Sequence, residues 1–484
     1  MSVQMPDINL LLLLPEIILS VAAMGLLLIG AWQEERQDSE LLPNLSLAAV
    51  VVAAIATLSG LADPRATTLD GQFVHDPFST FMKLFMYVAT TFPILMSVDY
   101  LKRYRMHRGE YYVLMLCALL GGMIMASAGS FLVLYLGLEL MSLSIYVLAA
   151  FRRDDTASNE AGLKYFVLGS MASGLLLYGI SLVYGATGTF SFATLQNLVG
   201  SDGFHGGMLM HMGVLFVVAG LAFKIAAAPF HMWAPDVYEG APTSVTAFMA
   251  ALPKVAAFAA VSRVLLEAFG PLQAFWGPAV QLLAVASMAV GALAAIAQTN
   301  FKRMLAYSSI GHVGYILIGF AAGNELGSQA VLLYLAIYIF MNLGTFAMIL
   351  IFSREGVGEE IGDYKGLAHK RPLLAFVMAL LMFSMAGVPP LAGFIGKLYI
   401  FMAAVKANMI GLAIVGVLFS AIGAFYYLRI VKIMYFDQAE SSFQVAAPLP
   451  SQLVIAVSTA AILIWGVFPG SLLSWALASV QSLH

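Results

Sequence analysis

Five ionisable side chains stand inside long apolar stretches of the chain: Glu139, Lys224, Lys254, His312 and Lys397. A charge at mid-bilayer costs about 2.5–3.5 kcal/mol or more, so such residues are rare and face protein or water. Their types suit proton transfer. A charged lysine only donates hydrogen bonds, while a neutral one also accepts. Burial favours the neutral form and an acidic neighbour the charged one. A histidine titrates near neutral pH and both gives and takes a proton. A series over five different segments reads as a path for charge.

Glu139 lies in LYLGLELMSL and is the acidic residue placed nearest mid-membrane. It is either a partner for a buried lysine or a carboxyl hydrogen-bonded within the bundle. Lys224 precedes Pro229 in LAFKIAAAPFHMWAPD, and Lys254 follows Pro253 about a dozen residues into an apolar run. Both are too deep to snorkel easily to an interface. His312 sits midway along YSSIGHVGYILIG, where Tyr307, Ser308 and Ser309 extend the set by hydroxyls; the plain alternative is a satisfied core histidine. Lys397 follows Pro389, Pro390, Gly393 and Gly396 in MAGVPPLAGFIGKLYIF. Lys164 begins a span and suits either snorkelling or a first relay position. Lys83 reads as structural or lipid-facing near an interface. His211 and His231 fall near span ends and carry no assigned role.

The magnitudes are compatible with electrostatic switching. Two unit charges ~7 Å apart at an effective dielectric of ~20 interact by about 2.4 kcal/mol. Moving a proton against 100 mV costs about 2.3 kcal/mol. Making or breaking one glutamate–lysine contact is therefore comparable with the work of moving one proton.

The elements that must position these residues are membrane spans. The chain has 484 residues, 61% hydrophobic and 10% charged, with mean hydropathy +0.91, far more apolar than a soluble core requires. The net charge of −3 gives no reason to expect nucleic acid as a partner. A single cysteine, Cys117, excludes an internal disulfide and a cysteine-ligated cluster within the chain. Neither GxxxxGK[ST] nor GxGxxG occurs. The first apolar segment lacks a basic leader and is expected to span rather than be cleaved.

Hydropathy predicts fourteen spans: 8–32, 44–62, 76–100, 110–127, 130–151, 160–186, 207–230, 243–268, 277–298, 303–322, 328–353, 372–405, 408–436 and 450–478. With the N-terminus outward, the inward loops hold Arg36; Lys102, Arg103, Arg105 and Arg108; Arg152 and Arg153; Lys302 and Arg303; Arg354, Lys365, Lys370 and Arg371, and Arg429 and Lys432 lie at an inward helix end. The outward loops hold only Arg65 and Lys406. That bias places both termini outward. Spans seven and twelve contain prolines, which remove an amide donor and open the helix. Opened backbone persists in a bilayer only inside protein or beside a wet cavity. Being five spans apart, they suggest inverted five-helix repeats, spans 4–8 and 9–13, with Lys397 as the counterpart of Lys224. The expected fold is an all-α polytopic membrane protein in one domain: three N-terminal helices (1–109), a first repeat (110–268), a second (277–436) and a last helix (450–478).

AFKIAAAPFHMWAPDVYEGAPTSVTAFMAALPKVAAF (222–258), GVPPLAGFIGKLYIF and QTNFKRMLAYSSIGHVGY carry a resemblance that covers essentially the whole chain. It resembles the antiporter-like membrane subunits of respiratory complex I, and among them the subunit N type. DVYEGAPT points to that type. So does Lys397, which stands where the M type carries glutamate. The expected end soon after the last span lacks the long lateral helix of the L type. The resemblance implies a proton-translocating, non-redox subunit of NADH:quinone oxidoreductase, with Glu139 and Lys224 coupled, Lys254 the central relay and Lys397 leading outward. It also implies that flavin, iron–sulfur clusters, NAD and quinone bind other subunits. The implied partners are other membrane subunits, antiporter-like and small ones included, together with lipid. The implied location is a bacterial inner membrane, or the mitochondrial one if organelle-encoded, with both termini periplasmic in the bacterial case. A subunit of a multi-subunit cation/proton antiporter is the alternative. The expected route runs from the inward side through Glu139–Lys224 to Lys254, past His312 and waters, and out by Lys397.

Overall fold

The computed structural model describes residues 8–32, 40–59, 65–201, 206–353, 359–438 and 447–483. Arg36 and Arg354 lie outside the described residues. Helices α1 (Leu14–Trp32) and α2 (Leu41–Ser59) are followed by a small antiparallel hairpin, β1 (Ala66–Thr68) and β2 (Phe73–His75). Next come α3 (Pro77–Arg103), α4 (Gly109–Ala126), α5 (Phe131–Ala149), α6 (Thr156–Thr187) and the short α7 (Phe192–Val199). α8 (Gly207–Ile225) and α9 (Trp233–Gly240) flank a break. α10 (Thr243–Ser262) continues into a π-helical turn, Arg263–Ala268. α11 (Gln273–Ile296), α12 (Phe301–Ala322), α13 (Glu325–Ser353) and the one-turn α14 (Leu367–Lys370) follow. α15 (Pro372–Ala386) and α16 (Ala392–Lys406) flank a second break, and α17 (Ile410–Phe436), α18 (Leu449–Val467) and α19 (Gly470–Val480) complete the order.

Thirteen helices among the described residues are long and apolar enough to cross a membrane, and the remaining expected span, 372–405, is the pair α15–α16. The 110–151 region does split, at Ser127–Ser130. Several expected boundaries change. The seventh helix stops at Ile225 rather than 230, because Ala226 adopts a left-handed conformation (φ 59°). The last span, 450–478, is two helices separated at Phe468 and Pro469.

Helix starts follow from local chemistry. Asp76, Ser130, Asp155 and Asn300 each cap a helix by accepting a backbone N–H at its first turn. α10 and α13 are buried along their whole apolar length and form the central pillars, while α1, α2, α17 and α18 turn apolar side chains outward. Between α4 and α5, a Cβ added at Gly137 would come within 2.7 Å of the Gly121 carbonyl. Glycine permits that close backbone approach.

Following the spans alternately sorts the loops into two ends. At one end the hairpin strand β2 pairs with Ala128, Ser130 pairs with Ser191, and Arg65 reaches the Ser482 carbonyl at 2.8 Å. At the other lie the 152–155 loop, α9, the 297–300 loop and α14, where most of the loop cations gather. The start of α5 is tied by Phe131 N–H to the Phe190 carbonyl and Phe192 N–H to the Gly129 carbonyl. The start of α12 repeats this at the opposite end, with Phe301 N–H to Glu359 and Ile361 N–H to Thr299. The two breaks also match. Ala227 N–H bonds the Ala222 carbonyl and Val388 N–H the Phe383 carbonyl, both at 2.9 Å, around left-handed Ala226 and Gly387. A proline stands three residues after each left-handed residue, at Pro229 and Pro390.

Candidate proton-relay site

The breaks place the lysines. Where α8 ends, its last carbonyls lose their intrahelical donors. Lys254, on the neighbouring α10, donates to the Ile225 carbonyl at 2.5 Å. Where α15 ends, Lys397 donates to the Met385 and Ala386 carbonyls at 3.1 and 2.8 Å, and to Ser420 Oγ at 2.9 Å. Lys254 and Lys397 are only 2% and 5% exposed. Each thus places a buried lysine amine on the negative end of an interrupted helix.

Lys224 behaves differently. It sits one residue before the end of α8 and donates to Ser142 Oγ (2.9 Å) and Tyr146 Oη (3.2 Å). Glu139, Ser142 and Tyr146 share one face of α5, spaced by helical turns. Glu139 and Lys224 make no direct ion pair in this structure. Glu139 is half-buried, and its buried Oε1 has no hydrogen-bond partner. The side chain of Lys224 reaches the next turns of α5 instead, where a hydroxyl pair satisfies it.

The expected equivalence of Lys397 with Lys224 is corrected by the breaks. With their hydrogen bonds aligned, Met385 stands where Lys224 does, and Lys397 lies beyond the break. In role, Lys397 matches Lys254: both hold the carbonyl end of an opened helix.

His312, on α12, is buried with both ring nitrogens engaged, Nδ1 with Tyr334 Oη at 2.7 Å and Nε2 with Tyr427 Oη at 3.0 Å. Tyr427 also hydrogen-bonds Ser308, and Tyr338 donates to Ser309 at 3.0 Å. The Lys397 ammonium lies over the Tyr315 ring at 5.0 Å, and that ring stands edge-on to His312. Sequence reading found Ser308 and Ser309 but not Tyr315, Tyr334, Tyr427 or Ser420. Tyr427 and Ser420 lie on α17, more than a hundred residues from His312, and no local pattern links them.

Lys164 is outside this buried set. It binds Glu160 and Asp236, each at 2.7 Å, and is half-exposed. Asp236 and Glu239 of DVYEG both also bind Arg303 at 2.7 Å, which fixes α9 to α6 and α12. Partial burial alone would raise the Asp236 carboxyl. The hydrogen bonds and charges of Lys164 and Arg303 outweigh it and hold the group below the usual carboxylate range. Beside α9 opens a polar cavity of about 430 Å³, lined by Tyr100, Arg152, Asp155, Glu239, Lys302 and Glu359 among others. Lys302 pairs with Glu359 at 2.6 Å, and Thr243, the first residue of α10, also bonds Glu359.

Of the two readings of Lys83, structural and lipid-facing, the structural one holds: the residue is fully buried and pairs with Glu16 at 2.7 Å. A second buried charge group had no counterpart in the sequence reading. Arg263, on the π-helical turn, binds Asp76 at 2.7 Å, Glu267 at 2.9 Å and the Ala126 carbonyl at 3.1 Å. The Arg263/Glu267 spacing of four in an apolar run was the available signal.

An apolar helical bundle with two interrupted spans and buried lysines at the interruptions defines a polytopic membrane protein. Residues 128–423 match the family described as NADH:quinone oxidoreductase/Mrp antiporter, transmembrane. NADH-quinone oxidoreductase subunit N of Magnetococcus marinus is 59% identical over 484 residues, covering all of both chains. A chain of respiratory complex I from Thermus thermophilus is 34% identical with TM-score 0.80, covering 95% of this chain and 98% of its own. A chain of the Mrp complex from Dietzia is 21% identical with TM-score 0.86, covering 98% of each, a likeness of fold alone. The chain belongs to this transmembrane family and, within it, to subunit N of NADH-quinone oxidoreductase.

Proposed function

We propose that the chain translocates protons as a non-redox membrane subunit of NADH:quinone oxidoreductase, with Lys254 and Lys397 as the groups that load and release them. The observation that carries this is the shared placement of those lysines: each is buried, each on the terminal carbonyls of an opened helix. Such a site holds a cation without an acid partner, yet tolerates its neutral form, as a relay station must. Matched breaks and helix-start ties at opposite ends support reading the halves as inverted repeats.

Protons enter from the end carrying the cationic loops, reach Lys254 by way of the Glu139–Lys224 region, pass His312 and leave by Lys397 on the hairpin side. Water completes the stretch between Lys254 and His312, which no direct side-chain hydrogen bond joins. Lys224 supplies the switch. It is satisfied here by Ser142 and Tyr146, while the unpartnered Glu139 oxygen offers a second position. NADH, quinone and the redox groups bind elsewhere in the assembly, whose other membrane subunits and lipid are the partners. The membrane is the bacterial inner membrane, with both termini periplasmic. The identity to subunit N favours this over a stand-alone antiporter.

The test is Lys397→Ala in the assembled complex, reconstituted in vesicles, with NADH:quinone turnover and proton uptake recorded together. A lowered proton-to-electron ratio is expected. Unchanged turnover and ratio would remove Lys397 from the route.

A further inference from the structure

The groups around His312 form an unbroken row on three helices. Ser308 bonds Tyr427 Oη, Tyr427 bonds His312 Nε2, and His312 Nδ1 bonds Tyr334 Oη. All four side chains are buried. Every hydroxyl in the row is both a donor and an acceptor, and the imidazole accepts at one nitrogen while donating at the other. We propose that Tyr427 and Tyr334 are themselves proton carriers, forming with His312 the conducting segment that delivers to Lys397. The inference rests on the proposed function and adds two residues to it.

One proton enters the row and one leaves it. Ser308 takes a proton from water and passes its own hydroxyl proton to Tyr427, which passes its hydroxyl proton to one imidazole nitrogen. The imidazole gives up the proton on its other nitrogen to Tyr334, which hands its own through water to the neutral Lys397 amine. Each group of the row ends with the protons it began with, the proton taken up at Ser308 matches the one delivered to Lys397, and the row is reversed in polarity. Turning the hydroxyls and exchanging the imidazole tautomer resets it.

The far end of the row lies beside the helix that carries the lysine. Tyr334 lies against α16 at Gly396, the residue before Lys397: a Cβ added there would stand 2.8 Å from Tyr334 Cδ2. Glycine at 396 is what lets the ring lie that close. Tyr315 fills the remaining side, between His312 and the Lys397 ammonium. A satisfied core histidine needs one good partner on each nitrogen, but does not need one of those partners to bond a further buried hydroxyl.

The experiment uses Tyr427→Phe and Tyr334→Phe in the intact complex in vesicles, with Lys397→Ala alongside. Each removes one oxygen and keeps the ring. Proton uptake coupled to NADH oxidation is expected to fall about tenfold or more in both, with the complex assembled. 3-Fluorotyrosine at 427, whose phenol is more acidic, is expected to restore uptake and shift its pH profile, a readout a packing role would not move. The same fluorotyrosine protein decides the matter if a phenylalanine variant fails to assemble: an unshifted profile overturns the proposal. So does wild-type uptake in both phenylalanine variants. If that occurs while Lys397→Ala loses uptake, the row falls and the proposed function stands. If Lys397→Ala also pumps normally, the proposed function falls with it.

Discussion

Lys254 Nζ lies 2.5 Å from the Ile225 carbonyl, the last carbonyl of a helix that stops in the middle of a span. The contact joins the break to α10 and puts the lysine on the negative end of the helix dipole.

Two substitutions separate position from protonation at Lys254. Lys254→Met removes the donor and leaves the Ile225 carbonyl buried and unpaired, at about 1–3 kcal/mol. Lys254→Arg keeps a donor but cannot become neutral. Both are expected to abolish proton uptake, with assembly better preserved in Lys254→Arg. NADH-driven uptake in vesicles, compared with the yield of intact complex, checks this. Pumping by Lys254→Arg would show that the site needs charge and not its loss.

Glu139 is expected to act through its charge. Two unit charges ~7 Å apart at an effective dielectric of ~20 interact by about 2.4 kcal/mol, and the loss of a Glu139–Lys224 interaction of that order in Glu139→Gln should lower coupled turnover by roughly ten- to a hundredfold. Glu139→Asp retains the charge one methylene shorter and should retain most of the rate. Equal loss in both would make the carboxyl a packing group.

The spans were legible in the sequence because length and hydropathy are set residue by residue, and the two breaks were legible because Pro229 and Pro390 announce them. Glu139, Lys224, Lys254, His312 and Lys397 stood out because a charge in an apolar run is visible without any partner. The partners were not. Lys254 binds a main-chain oxygen, which has no residue identity to read. Lys397 and His312 find Ser420 and Tyr427 on α17. Arg263 falls near a span end, where an arginine commonly reaches solvent, and its local pattern does not report that Asp76, which caps α3, and Glu267 keep it inside.

Acid should loosen α9. The Asp236 carboxyl is held below its ordinary value by Lys164 and Arg303. A carboxyl depressed in the folded state contributes stability that is full above its unfolded value, about 3.9, and is lost as pH falls through the folded value. Wild-type protein is therefore expected to exceed Asp236→Asn in thermal stability at pH 7 and to converge on it below about pH 4. Melting of purified complex across that range measures the difference. A constant gap would mean that Asp236 acts by packing alone.

The pair Lys83–Glu16 ties α3 to α1 through two charges almost wholly out of solvent. Removing one partner strands the other in the bundle, at about 3–5 kcal/mol, whereas removing both often costs little. Lys83→Met and Glu16→Gln should each destabilise the complex strongly, and the double variant should recover most of the loss. Because neither residue touches the row from Lys224 to Lys397, the proton-to-electron ratio of whatever assembles should match wild type in all three. A ratio that fell in the double variant, with stability recovered, would place this pair on the route and extend the relay into the three N-terminal helices.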